Sequence, residues 1–130
     1  MTDLIRYPSP LPAPLSKAVR VGDLLFLSGQ TPRGADQKPV GGAIEEQTEA
    51  VIAAIQATLT EFGLDLSAIV RCTVWLSDLG LMARFNAVYA AAFGAHLPAR
   101  STVEAKLVGG VAVEIEATAF VGTSRSVPLG

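Results

Sequence analysis

Two segments of the chain carry apolar residues at the spacing of an amphipathic helix. The first, residues 45–62, begins with acidic residues, which suit the positive end of the helix dipole, and is followed by Gly63, a common C-terminal cap. The second starts after Asp78, an N-cap residue type, and ends before Gly94. The apolar positions are Val51, Ile55, Leu59 and Phe62 in the first segment, and Leu81, Phe85, Tyr89 and Phe93 in the second. The pattern predicts two helices, each with one apolar face.

Short apolar runs near the N-terminus have the character of β-strands. Residues 18–21 and 24–28 are separated by Gly22-Asp23, which predicts a strand, a tight turn and a second strand. Residues 31–42 are rich in proline, glycine and polar residues and indicate a loop.

The second half of the chain supplies further strands. Residues 68–76 are rich in β-branched and aromatic residues, which favour a strand. Residues 101–108 and 111–121 are joined by Gly109-Gly110, a dipeptide that tolerates the positive φ angles of a hairpin turn. The pattern predicts that these last two strands form a hairpin and lie side by side.

The order of these elements predicts an α+β domain with two helices packed on one face of a mixed sheet. A chain of 130 residues is the size of one domain. Residues 1–14 precede the domain and contain four closely spaced prolines, Pro8, Pro10, Pro12 and Pro14. Because proline lacks a backbone N–H, we expect an extended arm that is largely unpaired.

The composition is apolar for a small domain. Half of the residues are hydrophobic, 17% are charged and the mean hydropathy is +0.42, so we expect some apolar surface to lie between subunits. No run approaches the roughly 18 apolar residues that a membrane-spanning helix needs. The first residues lack the basic start and apolar centre of a secretion signal, and we therefore expect a cytoplasmic protein.

Cysteine, histidine and charge narrow the possible functions. Cys72 and His96 are the only residues of their types, so neither a disulfide framework nor a zinc site is expected. We expect Cys72 to be a small buried residue and His96 to lie at the surface. The net charge is −2 and the basic residues are scattered, which disfavours nucleic acid as a partner. No phosphate-binding loop or dinucleotide motif is present, and no cofactor is predicted.

Two charged residues near the C-terminus are the best candidates for chemistry. Arg100 follows Pro98-Ala99 at the start of a predicted strand, and its planar guanidinium suits a carboxylate. Glu114 lies on the next predicted strand among apolar residues, where an ionisable side chain is costly unless it is paired, hydrated or useful. On these residues alone, an ordinary cross-strand ion pair worth about 0.2–1 kcal/mol also explains the pattern.

Four fragments, in order, resemble the reactive intermediate (imine/enamine) deaminase family, formerly called YjgF-like. The resemblance extends from about residue 15 to residue 121. The fragments are Leu27-Ser28-Gly29-Gln30-Thr31-Pro32, Val74-Trp75-Leu76-Ser77-Asp78-Leu79, Phe85-Asn86-Ala87-Val88-Tyr89, and Pro98-Ala99-Arg100-Ser101-Thr102-Val103-Glu104 followed by Val113-Glu114-Ile115-Glu116-Ala117.

The resemblance implies a chorismate-mutase-like (YjgF-like) fold and a homotrimer with clefts between adjacent subunits. Arg100 would bind the carboxylate of a short imino or enamino acid, helped by the backbone amide of Gly29. Glu114 would hold a water and transfer its proton, giving a 2-oxo acid and ammonia without a cofactor or metal. Thr102 stands where many members have cysteine, and its backbone carbonyl would contact the ligand. Further lining residues would be Ser28 and Asn86.

The sequence departs from the family at two places. The deaminases carry a Pro-Tyr pair near the start, whereas this chain has Pro14-Leu15, and the turn around Gly109-Gly110 is one residue shorter. The missing tyrosine leaves open a non-catalytic member that binds or senses small carboxylates, including 2-oxo acids. A ribonuclease, an activity claimed for some relatives, would need a basic groove that this sequence does not indicate.

Overall fold

The computed structural model describes residues 3–122, in which six strands form one mixed sheet and two helices pack against it. The sheet order is β1-β2-β3-β6-β4-β5, and every neighbouring pair is antiparallel except β4 and β5, which are parallel. The elements are β1 Leu4–Pro8, β2 Ser16–Val21, β3 Leu24–Gln30, α1 Ile44–Glu61, β4 Ile69–Leu76, α2 Met82–Phe93, β5 Ala99–Glu104 and β6 Val113–Phe120.

The hydrophobic core lies between the sheet and the helices. Strand β6 buries every second residue, Val113, Ile115, Ala117 and Ala119, beneath the apolar stripes of α1 and α2. The opposite face of the sheet has no helix over it in the single chain, and Phe26 and Val103 are each 44% exposed. The predicted α+β layering is therefore confirmed. No helix within residues 3–122 combines the length and apolar character that crossing a membrane requires.

Both predicted helices are present, within a few residues of the expected bounds. Helix α1 is followed by Gly63, which adopts a positive φ of 71° as expected for a terminating glycine. Asp78 caps a short 3-10 turn rather than α2 directly, since its carboxylate accepts a hydrogen bond from the amide of Gly80 at 2.7 Å. Helix α2 then begins at Met82 and ends at Phe93, and Gly94 is its C-cap.

The prediction that the N-terminal arm is largely unpaired is wrong for residues 4–8. These residues form β1, an edge strand that pairs with β2 so that Leu4 lies opposite Val21 and Tyr7 opposite Ala18. The prolines lie at and beyond the end of this strand, and the four residues before Pro8 keep their backbone N–H groups. Proline is tolerated at the end of an edge strand, because such a strand has a neighbour on one side only and a missing N–H need not break a ladder.

The predicted hairpin between the last two strands is also wrong. Strand β4 lies between β5 and β6, pairing parallel with the first and antiparallel with the second. Gly109 and Gly110 do adopt positive φ angles, 67° and 70°, but in a short 3-10 turn within the connection that carries the chain past β4. Strand β6 buries half of its residues and takes a central position, whereas β5 has no buried residue and lies at the edge.

Candidate active site

Arg100 lies on the edge strand β5, and its side chain packs against helix α2. The guanidinium carbon lies 4.9 Å from the ring centroid of Tyr89 and 5.4 Å from that of Phe85. One guanidinium nitrogen approaches the sulfur of Met82 at 3.8 Å. Within residues 3–122 the ion pairs are Lys17–Glu61 and Arg84–Glu45, so Arg100 has no carboxylate partner there. A half-buried guanidinium that has no side-chain carboxylate partner can bind the carboxylate of a ligand.

A cavity of about 320 Å³ opens beside this guanidinium, and we call it the Arg100 cavity. The amide oxygen of Asn86 and the hydroxyl of Tyr89 are buried nearby without a hydrogen-bond partner in residues 3–122. Thr102 lies two residues along β5 on the same side of the strand and pairs with Val74. The complete lining is Asn86, Tyr89, Ala90, Leu97, Pro98 and Arg100.

Glu114 lies on β6, opposite Trp75 of β4, on the sheet face that carries no helix. Its carboxyl group packs against the backbone of Gly29, where a Cβ would overlap Oε2 and lie 3.3 Å from Cδ. A side chain at position 29 would therefore displace the carboxyl group of Glu114 from its present position. Partial burial, and secondarily the negative charge of Glu116, raise the pKa of Glu114 above its ordinary value.

Ser28 and Gly29 lie at an irregularity where β3 shifts register against β6 between Leu27 and Gln30. This bulge was not evident from the sequence; its only signal was a glycine near the end of an apolar strand. The hydroxyl of Ser28 donates a hydrogen bond to the carbonyl of Ser16 at 2.5 Å and so ties β3 to β2. Both residues line a second cavity of about 390 Å³, beside the N-terminal arm.

The predicted site residues therefore fall into two groups within one chain. Arg100, Asn86 and Thr102 belong to the first, and Ser28, Gly29 and Glu114 to the second. Strands β5 and β6 are two strand spacings apart, about 10 Å. Arg100 packs towards α2, whereas Glu114 alternates with core residues and projects from the other face. An ion pair between Arg100 and Glu114 on neighbouring strands is therefore excluded. The two residues also do not lie opposite each other, as the predicted hairpin would have placed them.

Other residues considered from the sequence occupy the expected positions. Cys72 is fully buried, and burial raises the pKa of its thiol, which keeps it protonated and unreactive at neutral pH. His96 is exposed beyond the end of α2. No three or more histidine, cysteine, aspartate or glutamate side chains converge as a metal site in the part of the chain that the structure describes.

Phe85 and Tyr89 contact Arg100 as well as the core, which their sequence pattern did not indicate. Their spacing predicted core residues of α2, and both are buried, but their ring faces also support the guanidinium of Arg100. The available signal was an aromatic pair four residues apart on the helix preceding the candidate arginine.

Comparison with known proteins gives consistent matches along most of the chain. The model of the family described as Endoribonuclease L-PSP matches residues 8–121. A RutC family protein of Pyrococcus abyssi is 42% identical over 117 residues, which cover 88% of this chain and 91% of that protein.

Solved structures agree with the sequence matches. Yeast Mmf1 has a TM-score of 0.85 at 36% identity, covering 91% of this chain and 98% of that one. The Rid family protein YyfA of Yersinia pestis, whose function is described as unknown, has a TM-score of 0.83 at 35% identity, covering 93% and 100%.

Proposed function

The chain belongs to the family of endoribonuclease L-PSP, YjgF and Rid proteins, and on that basis we propose that it is a cofactor-free enamine/imine deaminase. Its substrates would be 2-imino acids and their enamine tautomers, and its products 2-oxo acids and ammonia. The observation that carries the proposal is the half-buried guanidinium of Arg100, which faces a cavity and has no carboxylate partner in residues 3–122.

The separation of the two residue groups supports a site built from two subunits. A three-carbon acid cannot reach from Arg100 to Glu114 of the same chain, across about 10 Å and opposite sheet faces. We propose a homotrimer in which Arg100 of one subunit faces Ser28, Gly29 and Glu114 of its neighbour. The exposed apolar side chains on the helix-free face, including Phe26, supply surface for such an assembly.

The proposed reaction adds water across the C=N bond. Arg100 holds the carboxylate of the substrate, and the amide of Gly29 helps to fix it. Glu114 accepts a proton from water as the water oxygen attacks the imine carbon, and passes that proton to the imine nitrogen. Glu114 then takes the hydroxyl proton of the resulting carbinolamine and delivers it to the same nitrogen, so that the C–N bond breaks and ammonia leaves with the electron pair as the C=O bond forms. Orientation and one proton relay suffice for this chemistry.

The raised pKa of Glu114 suits the role of a proton acceptor and donor. A carboxylate whose pKa lies nearer to neutral accepts a proton more readily than an ordinary surface glutamate and can return it. The physical cause is the same partial burial that brings the carboxyl group against Gly29.

The alternatives predict different results. A ligand-sensing protein would keep the Arg100 cavity without turnover, and Leu15 in place of the family tyrosine is the feature that favours it. A ribonuclease would need a continuous basic groove, whereas Lys17 and Arg84 are already paired with glutamates.

The test is ammonia release from 2-iminopropanoate generated in situ by a pyridoxal-phosphate enzyme. We expect the protein to accelerate release, and Arg100→Ala to lower kcat/KM about 30- to 1,000-fold by removing a bidentate contact worth about 2–4 kcal/mol. Arg100→Lys should restore little. Calorimetric titration with pyruvate should show the same loss of binding. Binding of pyruvate without turnover would favour the sensing protein, and unchanged affinity in Arg100→Ala would remove the site assignment.

A further inference from the structure

The sulfur atom of Met82 lies beside the guanidinium of Arg100. The chain contains two methionines, Met1 and Met82. Met82 is the first residue of α2 and is partly buried, packing against the edge of the core. Its Sδ lies 3.8 Å from the Nη2 of Arg100. Because a thioether is a weak acceptor, this contact uses little of the hydrogen-bonding capacity of the guanidinium.

The guanidinium is held next to this sulfur by the same side of α2. Phe85 and Tyr89 follow Met82 by three and seven residues, so the three side chains share one side of the helix. The guanidinium carbon lies 5.4 Å from the ring centroid of Phe85 and 4.9 Å from that of Tyr89. No carboxylate in residues 3–122 is within ion-pair distance of Arg100. The Nη2 donor therefore stays near the sulfur and is free to bind a stronger acceptor.

Oxidation of the sulfur would supply that stronger acceptor. When a thioether reacts with hydrogen peroxide, the sulfur lone pair forms a bond to one peroxide oxygen and the O–O bond breaks. The proton on the transferred oxygen passes to the departing hydroxide, which leaves as water, so sulfur is oxidised and peroxide is reduced. The product is a polar sulfoxide. Since Sδ already lies 3.8 Å from Nη2, a sulfoxide oxygen directed at Arg100 is within hydrogen-bonding reach.

Resting on the proposed role of Arg100 in binding a carboxylate, we propose that Met82 is an oxidation site that controls this binding. The sulfoxide of Met82 accepts a hydrogen bond from the Nη2 of Arg100 and occupies one of the donors that a bidentate carboxylate contact requires. Reduction of the sulfoxide returns the donor to the ligand. The oxidant is a peroxide, and the ligands that lose affinity are short imino and 2-oxo acids.

The test measures pyruvate affinity by calorimetry before and after treatment with hydrogen peroxide, with the added oxygen located by peptide mass spectrometry. Oxidation at Met82 should raise the Kd about 3- to 10-fold, which corresponds to the loss of one net hydrogen bond. Methionine sulfoxide reductases of both stereospecificities, supplied with dithiothreitol, should restore the affinity. Dithiothreitol alone, which reduces an oxidised cysteine but not a methionine sulfoxide, should leave the Kd raised.

Two substitutions at position 82 separate the sulfoxide from other effects of peroxide. Met82→Leu keeps an apolar side chain of similar volume and helix propensity but has no sulfur, so peroxide should leave the Kd of this variant unchanged. The variant retains Cys72 and Trp75 and therefore controls for oxidation at those residues. Met82→Gln carries an amide oxygen on a side chain of similar length, and its Kd should be raised without peroxide.

Three results would overturn the proposal: Met82 that stays unoxidised while free methionine in the same solution is consumed, an oxidised protein with the affinity of the untreated one, and an equal loss of affinity in Met82→Leu. If the untreated protein binds no pyruvate, the proposed function fails, and thermal unfolding then decides whether Arg100 contacts the sulfoxide. Oxidation should lower the Tm of Arg100→Ala by more than that of the wild type, because the sulfoxide has lost its donor. Equal decreases in Tm would show that Arg100 does not bind the sulfoxide.

Discussion

At the residue scale, the surroundings of Glu114 raise its pKa. Its strand neighbours Val113 and Ile115 are fully buried, and its carboxyl group lies against Gly29, so it loses part of its hydration. No cation within residues 3–122 is in ion-pair distance to offset that loss. The result is a raised pKa with desolvation as its main cause, which is the pattern common to catalytic carboxylates.

We expect Glu114→Gln to separate binding from turnover. The amide keeps the size of the side chain and one hydrogen-bond acceptor but cannot accept a proton, so kcat should fall by about 10²- to 10⁴-fold while pyruvate still binds. In the wild type, kcat/KM should fall as the pH decreases through a pKa above the ordinary 4.5, and this dependence should be absent in Glu114→Gln. Steady-state rates across pH, with calorimetry of pyruvate, measure both effects.

Glu116→Gln is the control for the pH dependence. Removing the neighbouring negative charge should lower the pKa of Glu114 and move the acid limb of the profile to lower pH.

The thermal stability of Glu114→Gln tests the direction of the same pKa shift without measuring activity. Because the folded state raises the pKa of Glu114, its ionisation destabilises the fold as the pH rises through the interval between the ordinary and raised values. Glu114→Gln should therefore be more stable than the wild type at neutral pH, with the difference vanishing below the ordinary pKa.

At the level of elements, α2 both closes the core and supports Arg100. Phe85, Tyr89 and Phe93 stack along one stripe, with ring centroids 5.4 and 4.5 Å apart in successive pairs. The guanidinium of Arg100 lies over the first two rings. Since such contacts contribute about 0.5–2 kcal/mol, the stripe fixes a side chain that would otherwise move freely at a sheet edge.

The stacking contact predicts different behaviour for two substitutions at one position. Tyr89→Phe keeps the ring and should bind pyruvate as the wild type does. Tyr89→Leu removes the ring and should raise KM about 2- to 30-fold with a smaller effect on kcat, because Arg100 is then less firmly positioned to bind the substrate carboxylate. Phe93→Leu serves as the control, since it also removes a core ring but has no contact with Arg100 in this structure. If Tyr89→Leu and Phe93→Leu have equal KM values and similar melting temperatures, the effect of Tyr89→Leu comes from lost core packing. The stacking contact with Arg100 would then have no role in binding.

Elements set by local periodicity could be predicted from the sequence, and elements set by distant pairing could not. The stripes of α1 and α2 and the turn at Gly22 depend on neighbours a few residues away, and all were confirmed. The position of β5 depends on a parallel pairing with β4, which a glycine-containing connection of eight residues does not encode. The error in that pairing also displaced Arg100 relative to Glu114, although the sequence singled out both charged residues as candidates and both are partly buried in the structure.

For the whole molecule, the proposed reaction requires Arg100 and Glu114 to act on one ligand. The chain places them on strands two spacings apart and on opposite faces of the sheet, and a conformational change that joined them would break β4 pairings on both sides. Association of identical subunits needs no such rearrangement, because each surface already displays one half of the site. In the proposed homotrimer, a closed ring of heterologous contacts would repeat this junction at every interface.

Mixed assemblies test this arrangement directly. Arg100→Ala and Glu114→Gln should each be nearly inactive alone. In a mixed trimer, however, one interface combines the intact Arg100 of a Glu114→Gln subunit with the intact Glu114 of an Arg100→Ala subunit. Random 1:1 assembly, by co-expression or by refolding together, should restore about one quarter of the wild-type sites, because three quarters of the trimers are mixed and each has one intact site in three. Light scattering should confirm the trimeric mass of the wild type and of the mixture. Activity no greater than that of the separate variants, in a mixture shown to contain mixed trimers, would overturn the site shared between subunits.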